Sequence, residues 1–546
     1  MEYNHKSFAV AGLSGLSLAF AYPGWDFSLI SSSTNIFGWI VWVGIVPLLW
    51  SLSKATSKKN AFLLGFLSGF FYFLIIFRWF WSLHPLDTLG IENAFLSILI
   101  ITLTWLISSA GMALFWGIFG FAYSLTKEKI QYRKYNILLI ACLFVICEYI
   151  RSWGFGLLWW GSGTLWGPHW TMGNLAYALG NNPLILNISS FVGIYGVTFL
   201  IIVFNLLVYK IFFNQSRFSK IKITTIIVLL SVTLAPKYIY GVINNSEIDK
   251  EKINFAIIQT SQEARLLFTP QEVVANFKEQ LELLDQIAKQ NPETNLVIFP
   301  EASEFFKNIS LFLDSSEIQN YFSNLFNKPV LIIAGGRVID PDDGKAYSRV
   351  YSLDTHEGIV NYYDKRLPVP GGEFLPYPIR LLTSIFSLSD TTDFKKTREL
   401  YPGKKEVSTV DFRYQISVSP IICSELISPN LTVESSANSD LIFSMASYAL
   451  FHGNETIANQ MLSVTLFRAA ETKKPIITAV NLGKSHVIDS NGILVLRTQD
   501  SSSQILTGLL SPSSQESWYN KAGNTPAILG SLLLGIFIWF SKKQKR

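Results

Sequence analysis

Over the first 240 residues polar positions are scarce, and long apolar runs follow one another with only short polar breaks. A bilayer core needs about 20 consecutive apolar residues in a helix. The pattern predicts eight spans, at residues 7–22, 36–53, 60–81, 93–125, 135–150, 184–213, 221–240 and 525–540. The first run lacks a small-residue cleavage site and is followed by further runs, so it reads as a span rather than a signal peptide.

Between spans seven and eight the period changes. Short apolar runs predict strands at 253–260, 296–299, 330–334, 416–422, 441–445 and 476–480, and amphipathic stretches predict helices at 271–290, 316–327 and 455–471. Strands alternating with helices imply an α/β domain. The predicted organisation is a membrane domain of seven helices (1–240), an inserted α/β domain (241–524), and a last transmembrane helix with a basic tail (525–546).

Composition strengthens the membrane reading. Hydrophobic residues make up 49% of the chain and charged residues only 15%, against about 25% charged in soluble proteins. The net charge of +5 resides in short loops, which argues against a nucleic-acid surface. Lys6, the Lys54/Lys58/Lys59 group, the Lys127/Lys129/Arg133/Lys134 group, the Lys210/Arg217/Lys220/Lys222 group and the tail Lys542, Lys543, Lys545 and Arg546 all fall on one side when spans alternate. Basic loops stay in the cytoplasm. The α/β domain is then expected in the periplasm, and the C-terminus in the cytoplasm.

Of three cysteines, Cys142 and Cys147 lie in an apolar run and are expected to pack there. The histidines are scattered, and the acidic turn at Asp340 lacks a calcium-loop pattern. No metal or cofactor is expected. Glu148 and Arg151 stand three apart and are expected to pair across one helical turn. The tryptophan- and glycine-rich stretch 153–170 suggests an interfacial aromatic belt, or alternatively a platform for lipid headgroups at Trp159 and Trp160.

Three local sequences place reactive side chains at strand ends: Val297-Ile-Phe-Pro-Glu301, Tyr362-Tyr-Asp-Lys365-Arg-Leu-Pro-Val-Pro-Gly-Gly-Glu373, and Pro420-Ile-Ile-Cys423-Ser-Glu425. Ligand sites in α/β sheets gather at such ends. A carboxylate can take the proton of a thiol, and an ammonium can hold the thiolate and then an oxyanion. Alone, each residue has an ordinary structural role. Together they suit acyl transfer through a thioester.

These elements, in this order, resemble the carbon–nitrogen hydrolase (nitrilase) superfamily. Seven leading spans, one trailing span and the run Phe191-Val-Gly-Ile-Tyr-Gly-Val-Thr-Phe-Leu resemble its membrane-embedded branch, the apolipoprotein N-acyltransferase family. The resemblance implies an α/β/β/α sandwich within an eight-span membrane protein of the bacterial inner membrane. It implies Cys423 as nucleophile, its sulfur held ionised, with Glu301 as base, Lys365 as charge stabiliser, and Glu373 and Glu425 in support. The implied partners are a phospholipid acyl donor, a diacylglyceryl-modified apolipoprotein acceptor and the bilayer, with no cofactor; the oligomeric state stays open, with a monomer favoured. Ser424, Met445, Ala446, Tyr448 and Phe268 depart from the family pattern, in which aromatic or polar residues are usual. A membrane-tethered amidase or nitrilase, or a non-catalytic lipid-binding relative, stays open as an alternative. The apolar stretch 379–388 reads equally as a core helix or as a bilayer-dipping lid, in which Leu382 and Phe386 would matter for acyl loading.

Overall fold

The structure is a computed structural model that describes residues 5–25, 37–130, 136–213, 251–265, 267–385, 394, 398–404, 410–412 and 416–540. Six helices lead the chain: α1 (His5–Ala21), α2 (Val46–Ser53), α3 (Lys58–Ile76), α4 (Ala94–Ile130), α5 (Asn136–Leu158) and α6 (Pro183–Phe213). Four segments are long and apolar enough to cross a membrane: Lys58–Leu83, Ala94–Thr126, Ile137–Leu158 and Pro183–Phe213. They correspond to predicted spans three to six.

Of the eight expected spans, these four meet that length and apolarity among the described residues. Span two is divided. A 3-10 turn over Gly38–Trp42 precedes α2, which starts beside Pro47, and proline at a first helical turn opens a helix rather than continuing one. Span one is a 17-residue helix, and the last span also falls among the shorter helices. Span seven, 221–240, lies outside the described residues, as do Arg133, Lys134, Arg217, Lys220, Lys222 and the basic tail.

The later part of the chain forms two six-stranded sheets. The first has order β12-β1-β2-β3-β4-β5 and the second β11-β10-β9-β8-β7-β6. The first is built from β1 (Ile253–Gln259), β2 (Leu296–Ile298), β3 (Leu331–Ile339), β4 (Ala346–Asp354), β5 (Gly358–Asp364) and β12 (Gln504–Leu510). The second contains β6 (Val410–Phe412), β7 (Ile416–Ile422), β8 (Leu441–Ser447), β9 (Ile476–Asn481), β10 (His486–Ile488) and β11 (Leu494–Arg497). Ile257, Ile298, Ile333, Ile422, Met445 and Ala479 pack between the sheets. Strand side chains alternate between faces, so the neighbouring residues of the same strands face outward onto helices.

On the first sheet these helices are α7 (Pro270–Gln290), α8 (Phe305–Ile309) and α9 (Ser315–Leu325), which contribute Phe277, Leu284, Phe305 and Phe322 to a separate core. A capping box starts α7: the Thr269 hydroxyl accepts from the Glu272 N–H, and the Glu272 carboxylate accepts from the Thr269 N–H at 2.8 Å. After α10 (Tyr377–Ile385), the second sheet carries α11 (Pro429–Ser436) and α12 (Glu455–Thr472). The chain closes with α13 (Trp518–Ala522) and α14 (Thr525–Phe540). The two-sheet domain is therefore an α/β/β/α sandwich.

The core beneath the second sheet does not end at α12. It runs without interruption through Leu462, Phe467 and Ala470 into Tyr177, Ile194 and the membrane helices. Arg468 of α12 forms a buried ion pair with Glu471, whose other oxygen accepts from the Ile194 N–H at 2.8 Å. That N–H is free because α6 breaks at Gly193, where φ is 62°. The run noted in the sequence at 191–200 is thus the point where a membrane helix docks on the sandwich.

Candidate active site

The parallel centre of each sheet, β1/β2/β3 and β7/β8/β9, directs its carboxyl ends to one region. Cys423 follows β7 directly and has a φ of 46°. A left-handed backbone at a non-glycine residue costs about 1–3 kcal/mol and persists only where its surroundings hold it. Here Glu425 holds it. Its carboxylate accepts from the Ile422 N–H at 2.7 Å, the Arg366 N–H at 2.6 Å and the Tyr363 hydroxyl at 2.7 Å. The Cys-x-Glu spacing thus ties the turn at Cys423 to the end of β5. Two residues beyond Glu301 also lie at positive φ, Ala302 at 58° and Glu304 at 51°.

Lys365 follows β5 and is 1% exposed. Its Nζ lies 2.7 Å from Glu301 Oε1 and 2.7 Å from Glu373 Oε1. The second oxygen of Glu373 accepts from the Val369 N–H at 2.7 Å, which fixes the Pro-Gly-Gly loop. The Cys423 thiol adjoins the Glu301 carboxylate and the Ser447 backbone N–H. Glu301, Lys365, Glu373 and Cys423 therefore form one cluster, with Glu425 behind it.

Two carboxylates face one ammonium, and this imbalance sets the protonation. Burial opposes the charge of Lys365, but Glu301 and Glu373 outweigh it and hold its pKa above the usual lysine range. Burial pushes Glu301 up to about 7; Glu373 adds to the rise and Lys365 opposes it. Burial and then the charge of Glu301 push the Cys423 thiol upward, and Lys365 does not cancel them. This direction favours the neutral thiol at rest, against the expected ionised sulfur, with the Glu301 carboxylate beside it.

Cys423 also lines an apolar cavity. On one side the wall is Val369, Pro370, Ser424, Ile427, Tyr448 and Phe451; it continues between the membrane helices along Phe77, Trp79, Ile101, Met112, Phe155 and Met172. Ser424, in that wall, turns its hydroxyl onto the Leu367 carbonyl. Met445 packs between the sheets and Ala446 packs toward α12, while Phe268 is exposed.

The tryptophan-rich loop is not simply a belt. Trp159 and Trp170 line the cavity, and Trp160 stacks edge-on against Tyr377. A Cβ on Gly163 would come within 2.5 Å of the Phe374 ring. Glycine lets the loop press against the Glu373 segment. Ile379 of α10 lines the cavity and Leu381 is exposed; Phe386 and the side chain of Leu382 lie outside the described residues.

Sequence reasoning missed the Ser447 N–H and the Tyr363 and Arg366 donors on Glu425. A backbone donor carries no side-chain signal, and Tyr363 reads as an ordinary strand residue. The acidic turn at Asp340 is engaged by protein cations: Arg349 reaches Asp340 at 2.8 Å and Lys404 reaches Asp343 at 3.0 Å.

The model of the apolipoprotein N-acyltransferase N-terminal domain matches residues 14–207, and that of the carbon-nitrogen hydrolase matches 254–520. An apolipoprotein N-acyltransferase from Rickettsia prowazekii is 24% identical, covering 85% of this chain and 86% of its own. Another from Shewanella oneidensis is 22% identical over 100% of both chains. The solved structure of Saccharomyces cerevisiae Nit3, of the nitrilase superfamily, covers 51% of this chain and 97% of its own at 19% identity, with a TM-score of 0.36. The two models lie end to end, one on the membrane helices and the other on the sandwich that carries the cysteine cluster, and the chain belongs to the apolipoprotein N-acyltransferase family.

Proposed function

We propose that this chain is an inner-membrane N-acyltransferase that moves an acyl chain from a phospholipid, through a thioester at Cys423, to the α-amino group of the N-terminal diacylglyceryl-cysteine of a lipoprotein. One observation carries the reading. Cys423 belongs both to the ionic cluster and to the wall of an apolar cavity that continues between membrane helices. A water-soluble amidase site needs no such cavity. Extracting an acyl chain into water costs about 0.8 kcal/mol per CH₂, and a site opening toward the bilayer avoids most of that cost.

In the first step Glu301 takes the thiol proton as the sulfur attacks the ester carbonyl. Lys365 stabilises the oxyanion of the tetrahedral intermediate. The carbon–oxygen bond breaks, the proton passes from Glu301 to the departing glycerol oxygen, and a lysophospholipid leaves. In the second step the acceptor amine attacks the thioester, gives a proton to Glu301, and expels the sulfur, which is reprotonated. A carboxyl group with a pKa of about 7 suits both directions of transfer at neutral pH. Glu373 positions Lys365, and Glu425 positions the turn at Cys423. The distribution of basic loops supports a periplasmic sandwich and a cytoplasmic C-terminus.

The test is mass spectrometry of the purified full chain in phospholipid micelles. An acyl adduct at Cys423 is expected, released as N-acylated product on addition of a diacylated lipopeptide. Absence of any adduct would overturn thioester chemistry. Release as free acid in the presence of lipopeptide would replace the transferase with a hydrolase.

A further inference from the structure

Arg398 stands at the junction of three segments beside the cavity. Its N–H donates to the carbonyl of Phe394 at 2.8 Å, and Phe394 lines the cavity. Two residues on, the Leu400 N–H donates to the carbonyl of Glu373 at 2.6 Å. One guanidinium nitrogen donates to the Arg265 carbonyl at 2.8 Å. Asp87, the neighbour of Thr88 in the cavity wall, acts on its charge from beyond ion-pair distance.

The guanidinium is incompletely partnered. Its Nε is buried with no hydrogen-bond partner, and among the described residues no carboxylate reaches ion-pair distance. Burial opposes its charge, while Asp87 and Glu373 favour it from further away. The outer nitrogen Nη1 is not enclosed in the same way, so a half-buried cation four residues from the cavity-lining Phe394 can be neutralised by an anion that arrives with the ligand. Arginine suits phosphate because its fork of donors meets two oxygens at once.

We propose that Arg398 binds the phosphodiester of the acyl donor, and so recognises the donor and not the acceptor. This rests on the acyl-transfer reading above. In a glycerophospholipid the phosphate lies a few bonds from the ester carbonyl, so a carbonyl at Cys423 with its chain in the cavity leaves the phosphate at the rim. The diacylglyceryl-cysteine acceptor has no phosphate. Arg398 therefore acts in the first half-reaction alone, whatever the headgroup beyond the phosphate.

The test compares adduct formation at Cys423 from a phospholipid and from a diacylglycerol with the same acyl chains, in neutral detergent micelles, for the full chain and for R398Q. The unaltered chain should prefer the phospholipid by about 10- to 100-fold, the range of a charge-assisted hydrogen bond. R398Q should lose that preference through a raised KM for phospholipid, with diacylglycerol use and iodoacetamide labelling of Cys423 unchanged. R398K should recover part of it. Equal use of both donors by the unaltered chain, an equal loss on both donors in R398Q, or no loss on either would overturn the proposal. So would inhibition by millimolar inorganic phosphate with equal use of the two donors, which would assign the site to free phosphate. If R398Q does not fold, the donor preference of the unaltered chain and of R398K decides. No adduct from any donor in the unaltered chain would instead sink the acyl-transfer reading itself.

Discussion

Two buried ionic groups border the same cavity, and they are built in opposite ways. In α5, Arg151 and Glu148 pair within one helical turn. The Arg151 Nε lies 3.0 and 3.1 Å from the two oxygens of Glu148, Nη2 lies 2.9 Å from Oε2, and Nη1 donates to the Met172 carbonyl at 2.9 Å. The Trp116 indole fills the remaining site at 3.0 Å. One cation meets one anion and every donor on this list has an acceptor. At Cys423 one ammonium meets two carboxylates, and a thiol supplies a proton that is not needed to hold the structure. The closed group stabilises packing between helices. The unbalanced one keeps a proton that can move. Burial alone does not mark an active site; the charge imbalance and the reactive atom facing a cavity do.

The largest effect that tests this contrast is E301Q. It keeps the shape and removes the proposed base, and the rate of adduct formation at Cys423 should fall about 10²- to 10⁴-fold with the unfolding midpoint little changed. Next is R151M, which leaves Glu148 buried alone and should lower unfolding free energy by about 3–5 kcal/mol. The double variant E148L/R151M should regain most of that loss, since apolar replacement of a whole buried pair is often neutral. An R151M chain as stable as the unaltered one would erase the contrast.

The pH dependence is a smaller but sharper test. In the proposed reaction Glu301 acts as a carboxylate, and burial pushes its pKa up to about 7. Protonation below that value removes the base, so loading should fall about tenfold per pH unit below 7 and level off above it. Stopped adduct assays across this range check the sign, and a profile flat down to pH 5 would contradict it. The smallest change is Y363F, which removes one of three donors on Glu425 and leaves two backbone donors. Loading should slow a few-fold, on the order of 0.5–1.5 kcal/mol.

The central strands were legible because β2, β7, β8 and β9 are short apolar runs buried on both faces. Strands such as β5 and β12 were not. β5 carries Asn361, Tyr362 and Asp364 at a sheet edge, where pairing partners rather than hydrophobic pattern decide that a strand forms. Helices with capping signals, such as α7 at Thr269 and Glu272, were placed within a residue at their start. Among the membrane spans, apolar composition did not record where a run divides, as beside Pro47 in span two.

The chain's own order of residues determined its two-part character, the site chemistry available at Glu301, Lys365 and Cys423, and the local turn that Cys423 and Glu425 share. These depend on hydropathy and on spacings of a few residues. Only the tertiary structure decided that burial and Glu301 push the Cys423 thiol upward, that each guanidinium nitrogen of Arg151 donates while Nε of Arg398 does not, and that the cavity at Cys423 runs on between the membrane helices. Each of those follows from burial and from the balance of charges brought together across long sequence separations, which no local pattern encodes.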